Sequence, residues 1–156
     1  KSDELCAAHS PRVAVVALGA NARQPMMVEH AGLVQPGTPE WEAEYAARVG
    51  RAMDRLVAGG CEKVIWLQLP PMRELVMAEF AQRLNGLVAA QAAQRPQVVA
   101  HDFSALVADR RTGGYTERRM DPLTAAAIPV RDVDGIHLSP DGARLLADAL
   151  IKEYWT

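Results

Sequence analysis

Asp134 and His137 stand three residues apart in RDVDGIHLSPDGARLLADAL, directly ahead of a helix announced by Ser139-Pro140-Asp141. At that spacing a carboxylate can accept a hydrogen bond from one imidazole nitrogen and fix the tautomer. The other nitrogen is then left to take a proton. The chemistry indicated is general-base catalysis, which needs a nucleophile to activate and donors to hold the charge that forms. The competing reading is that His137 merely belongs to the capping region of the following helix. A second segment, LGANARQPM, closes an apolar run at residues 18–26. Gly19 permits a tight turn at a strand end, and the Asn21 amide beside main-chain N–H groups can form an oxyanion hole. Each such donor contributes roughly 3–4 kcal/mol. By itself a Gly-Ala-Asn turn reads as a turn and no more.

These residues need a scaffold, and the hydrophobic pattern supplies one. Three short apolar runs, Val13–Leu18, Val64–Leu67 and Val98–Ala100, alternate with longer helical patterns. Near-continuous apolar character marks strands covered on both faces. Thr38-Pro39-Glu40 opens the first long helix as N-cap, first-turn proline and acid. Trp41, Tyr45, Val49, Met53 and Leu56 then recur at helical spacing until Gly59-Gly60. A second helix is predicted from about Glu74 to Gln91, with Phe80, Leu84, Leu87 and Val88 on one face. A third begins after Ser139 and carries Leu145, Leu146, Ala149 and Leu150. Strand–helix alternation of this kind predicts βαβ units and a parallel sheet, hence an α/β, three-layer, flavodoxin-like sandwich. In such sheets the working groups gather at the carboxyl ends of the strands. Gly19-Ala20-Asn21, Pro70-Pro71-Met72-Arg73 and His101-Asp102 follow the three strands, and the Asp134–His137 loop is expected on the same rim.

The bulk composition sets limits. A chain of 156 residues suits one domain over 1–156, able to bury roughly 68–70% of its unfolded surface. The net charge of −2, with basic residues spread among acidic ones, gives no nucleic-acid footprint. The cluster Arg110, Arg111, Arg118 and Arg119 reads as a solvated loop. No apolar run approaches the ~20 residues of a membrane span. No Gly-rich phosphate loop opens a helix, which argues against a nucleotide-binding domain. His9, His30 and His101 lack ligand spacing with a carboxylate, so no metal and no cofactor is expected. Cys6 and Cys61 each precede an apolar run by a few residues, which puts both sulfurs at one end of a parallel sheet. A disulfide in an oxidising compartment and two separate reduced thiols both remain open, the second being favoured.

Together, VVALGANARQPM and VDGIHLSPDG resemble the third and fifth conserved blocks of the SGNH (GDSL-type) hydrolase superfamily. The tryptophan-bearing strand followed by LPPMR, the PEWEAEYAARV helix and the HLSPDGARLLADAL helix are similar to a bacterial, often extracytoplasmic subfamily. The likeness covers the chain from about Ser10 onward. It implies that Asp134 orients His137, that His137 is the general base, and that Gly19 and Asn21 stabilise the oxyanion. Arg23, Gln24 and Arg73 would be substrate contacts on the rim. The implied substrate is an ester-bearing small molecule or a polysaccharide, such as an O-acetylated sugar or cell-wall polymer. The implied location is periplasmic or secreted.

Two departures from the family pattern follow. Ala22 stands where the third block carries an aspartate, which bears on loop geometry. The first block, Gly-Asp-Ser with the nucleophile, has no counterpart ahead of Gly19. Ser2-Asp3 has the wrong order, Ser10 precedes its strand and so falls at the opposite end of the sheet, and Ser104 in HDFS reads as a helix cap. By resemblance the missing strand occupies the middle of a five-stranded sheet. The expectation is therefore a domain incomplete at its N-terminus, with the serine on an upstream segment that is cleaved but retained, supplied as another chain, or simply not included in these residues. Two functions stay open: a serine ester hydrolase once complete, inactive as this chain alone, and a degenerate binding or scaffolding module on the same fold.

Overall fold

A computed structural model describes residues 2–155, apart from the side chains of Ser2, Asp3 and Leu5. The Ser2-Asp3 pair weighed above therefore has its side chains outside the described residues. The chain divides into two compact units, Lys1–Gln68 with Gln82–His101, and Leu69–Ala81 with Asp102–Thr156.

The first unit holds helix α1 (Ser2–His9), strand β1 (Val13–Val16), a hairpin of β2 (Met26–Val28) and β3 (Gly32–Val34), helix α2 (Pro39–Ala58), strand β4 (Lys63–Leu67), the later turns of helix α3 (Leu75–Ala92), and strand β5 (Val98–His101). Its sheet runs β1-β4-β5, all parallel, with Val15 opposite Ile65 and Ile65 opposite Val99. The expected α/β class holds: a parallel three-stranded sheet is flanked by helices, as in a three-layer α/β fold. β4 is central, and Val64 to Leu67 are all buried, which is why that strand reads as unbroken apolar text.

Val49 and Met53 of α2, Val88 and Ala92 of α3, Val64 and Trp66 of β4 and Val98 of β5 share one core cluster with Cys6 and Cys61. Each large aliphatic or methionine side chain buried there contributes roughly 1.5–3 kcal/mol. β1 is an edge strand. Among the described residues nothing pairs with its outer side, and Val15 and Leu18 remain 45% and 63% exposed.

α2 begins as its sequence dictates. Thr38 Oγ1 accepts the Trp41 N–H at 3.3 Å, and Pro39 occupies the first turn. It ends at Gly59, whose N–H donates to the Arg55 carbonyl, and Gly60 at φ +98° turns the chain away.

The second unit contains the first turns of α3, the short helix α4 (Ser104–Val107), an antiparallel hairpin of β6 (Arg118–Met120) and β7 (Ala127–Pro129), and helix α5 (Pro140–Tyr154). α5 packs against α4 and β7 and buries Leu145, Leu146 and Leu150. Gly142 lets it approach closely, since a Cβ there would sit 2.2 Å from the Val130 carbonyl oxygen. Buried Asp121 pairs with Arg144 and accepts the Leu123 N–H at 2.8 Å. That backbone bond, with the guanidinium beside it, holds its carboxyl below the usual carboxylate range. Ser104 does not cap α4 with its hydroxyl. The Asp102 carboxylate does the work instead, accepting the Ser104 N–H at 2.8 Å. Of the arginine cluster, Arg110, Arg111 and Arg118 are exposed, while Arg119 is half-buried and donates to the Ala108 carbonyl.

Candidate active site

The loop carrying Asp134 and His137 is closed on itself before any side chain acts. Arg131 and Leu138 form an antiparallel bridge, the Asp132 N–H donates to the His137 carbonyl at 2.9 Å, and the Gly135 N–H donates to the Asp132 carbonyl at 3.0 Å. Gly135 has φ +72°, a left-handed conformation that glycine adopts without penalty. Ser139 then starts α5 in the expected way. Its Oγ accepts the Gly142 N–H at 3.0 Å and donates to the Pro129 carbonyl at 2.7 Å.

Within this frame the Asp134 carboxylate is fully engaged. Oδ1 accepts the Ile136 and His137 N–H groups at 2.8 and 3.0 Å, and Oδ2 lies 2.6 Å from His137 Nδ1. The imidazole bond first, and the two backbone donors next, hold the Asp134 carboxyl well below the usual carboxylate range. An ionised Asp134 accepts from Nδ1–H, which places the free lone pair on Nε2. That nitrogen has no protein partner among the described residues, on a side chain 62% exposed. The pair thus holds one imidazole nitrogen and leaves the other open to solvent.

Two arginines brace the loop. The Arg73 backbone N–H donates to the Gly135 carbonyl at 3.3 Å, and its guanidinium donates to the Val133 carbonyl at 3.0 Å, the Tyr115 hydroxyl at 3.0 Å and Glu117 at 3.1 Å. The Tyr115 hydroxyl foremost raises the Arg73 pKa above its ordinary value. Arg131, 5% exposed, donates from one Nη to the Ile136 carbonyl at 2.8 Å and the Gly135 carbonyl at 3.2 Å. Both guanidinium groups lie over the Tyr115 ring, 5.3 and 5.4 Å from its centroid. Burial pulls the Arg131 pKa down, and its Nε and other Nη find no partner. A buried cation is therefore committed to the backbone of this one loop. Arg73 belongs to the same clasp, a role that the rim reading did not anticipate. Arg131, Tyr115 and Glu117 went unnoticed in the sequence, where the one signal was an arginine following the apolar Ile128-Pro129-Val130.

The segment after β1 belongs to the first unit. Gly19 has φ +131°, and its carbonyl accepts the Ala22 N–H at 2.9 Å, which closes a turn at the carboxyl end of β1. The Ala22 carbonyl accepts the Gln24 N–H at 2.7 Å, and the Gln24 carbonyl accepts the Trp41 indole N–H at 2.8 Å. The turn is thereby anchored to the start of α2, with no contribution from an acid at position 22. Asn21, Arg23 and Gln24 have exposed side chains, and the Asn21 amide has no partner among the described residues. The register puts His101 opposite Leu67, and the Gln68 N–H donates to the His101 carbonyl, so both mark the same carboxyl edge of the sheet.

Among the described residues no group of three or more His, Cys, Asp or Glu could hold a metal ion, and no helix is long and apolar enough to cross a membrane. No curated protein matches the chain. It is similar over its whole length to 68% of a solved structure from Streptococcus pneumonia described as a candidate platelet activating factor, with a TM-score of 0.58 at 17% identity. At that identity the likeness is one of fold. A family model matches residues 1–153, and the chain belongs to that family, whose description is "Protein of unknown function (DUF459)".

Proposed function

We propose that this chain carries the acid–base pair and the oxyanion donors of an SGNH-type serine ester hydrolase. The observation that carries the reading is the Asp134–His137 pair, its Oδ2···Nδ1 contact at 2.6 Å and its Nε2 open to solvent. His137 Nε2 takes the proton of a serine hydroxyl as that oxygen attacks an ester carbonyl, and Asp134 stabilises the imidazolium that results. The Gly19 N–H and the Asn21 amide are the donors assigned to the tetrahedral oxyanion. His137 then returns the proton to the leaving alcohol, and water releases the acyl group by the reverse traffic. Arg23, Gln24 and Arg73 remain the proposed substrate contacts. The proposed substrates are O-acetyl esters on sugars or cell-wall polymers, met in the periplasm or outside a bacterial cell.

The nucleophile is proposed to come from a segment outside these 156 residues. Two observations support this. Ser139 Oγ is spent on Pro129 and Gly142, and among the described residues nothing pairs with the outer side of β1, beside exposed Val15 and Leu18. A second reading, a binding module that has lost catalysis, is favoured by Ala22 and by the absence of a Gly-Asp-Ser motif from these residues.

Labelling the natural gene product with a fluorophosphonate distinguishes the two. The hydrolase reading expects one modified serine on a Gly-Asp-Ser strand upstream of Lys1, with labelling abolished by His137→Ala. An unlabelled protein, or labelling indifferent to His137, would leave the binding module.

A further inference from the structure

Cys6 and Cys61 take no part in the proposed hydrolysis, yet the fold brings them together. Cys6 lies on α1 and Cys61 at the entry to β4, and both are buried in one core cluster, 5% and 3% exposed. Both are free thiols, packed into the same buried cluster. The approach is built into the backbone. Gly59 lies under Cys6 so closely that a Cβ there would stand 2.8 Å from both Cβ and Sγ of Cys6, so only glycine fits between the end of α2 and α1. Cys6 and Gly59 both line a cleft of about 570 Å³, with Ala7, Ser10 and Arg55. Cys61 does not line it.

We propose that Cys6 and Cys61 are a redox modification site: a small disulfide of the oxidised-glutathione class, entering the cleft beside Cys6, converts the pair into an intramolecular disulfide that staples α1 to the head of β4. The Cys6 thiolate attacks one sulfur of the oxidant, forming a mixed disulfide and releasing one thiol. Cys61 then attacks the Cys6 sulfur, forming the Cys6–Cys61 bond and releasing the second thiol. The two cysteines lose two electrons and two protons, and the oxidant leaves as two thiols. Cys6 lines the cleft and Cys61 does not, which makes Cys6 the attacking partner and Cys61 the resolving one, and burial first, then the neighbouring Cys6, push the Cys61 thiol up. The bond would close the chain between positions 6 and 61, a long loop of the kind whose closure most restricts the unfolded chain.

The test treats the folded chain with oxidised glutathione, quenches with an alkylating agent and maps unreduced peptides by mass. The expected product is a Cys6–Cys61 cross-linked peptide, about 2 Da lighter than the two thiol peptides together and free of glutathione. Its Tm should exceed that of the reduced chain and return to the reduced value with dithiothreitol. Cys61→Ser should stop at a glutathione adduct on Cys6, and Cys6→Ser should take up none. Wild-type chain that stays reduced, retains glutathione, or cross-links only between molecules overturns the proposal, and it does so even if a variant fails to fold.

Discussion

Replacing Gly135 by alanine strains the candidate site at its most constrained backbone position. The residue sits at φ +72°, where a left-handed alanine costs roughly 1–2 kcal/mol. Its new Cβ would meet Arg73 Cβ at 2.8 Å and Nε at 2.9 Å. The first of these is not the far end of a flexible chain, so relief requires moving the loop or α3's entry, at about 1–3 kcal/mol. A stiffer unfolded chain returns about 0.4–1 kcal/mol. The net expectation is a loss of about 2–3 kcal/mol. Gly113 supplies the control, because it has φ +70° and an alanine Cβ there would meet nothing within 4 Å. Gly113→Ala therefore carries the conformational cost alone, a net loss of about 1 kcal/mol or less. Urea unfolding of both variants reads the difference. The His137 imidazole resonances should move in Gly135→Ala and stay in place in Gly113→Ala. Equal losses within about 0.5 kcal/mol, or an unmoved His137 in both, would refute the claim that the Arg73 clasp sets this loop.

Three further outcomes follow from the same contacts. Ser139→Ala removes the cap on Gly142 and strands the Pro129 carbonyl, and should lower the free energy of urea unfolding by about 2 kcal/mol. Gly142→Ala drives a Cβ into the Val130 backbone oxygen, whereas Gly50→Ala meets the side-chain ends of Gln91 and Arg95, which can shift; thermal melts should show the first severely destabilised, by about 3 kcal/mol, and the second by clearly less. The folded-state carboxyl of Asp134 is depressed, so its contribution is complete above the ordinary value of about 3.9 and is lost as pH falls through the folded value. Acid unfolding of Asp134→Asn should accordingly show a shallower loss of stability below about pH 4, while a curve parallel to the wild type would remove Asp134 from the ionised pair.

Local chemistry made much of this molecule legible. Thr38-Pro39 and Ser139-Pro140 name the starts of α2 and α5 because a cap is satisfied within three residues. The three parallel strands are visible because burial on both faces leaves apolar text, and α3 falls within a residue or so of its expected span. β1 stops at Val16 rather than Leu18, since its pairing with β4 ends at Trp66 and Leu18 has no cover. The two hairpins escaped notice. Met26–Val28 with Gly32–Val34 and Arg118–Met120 with Ala127–Pro129 are three-residue strands whose pattern is too short to show a period. α1 escaped as well, because SDELCAAH has only a weak amphipathic pattern and its packing against α2 is tertiary. At the candidate site, the contact between Asp134 and His137 was readable from their spacing. Arg73 reaches Val133 from sixty residues away, and the burial of Arg131 depends on Tyr115 and Met72, so neither brace could be inferred from neighbours in the chain.

Asp134 and His137 are proposed to move the proton in ester hydrolysis, and the rate at which the natural gene product hydrolyses p-nitrophenyl acetate tests this most directly. Wild-type protein should turn the ester over, His137→Ala should lose roughly 10²–10⁴-fold in kcat, and Asp134→Asn should fall in the same direction with the fold intact. Equal rates for wild type and His137→Ala would remove His137 from the proton transfer.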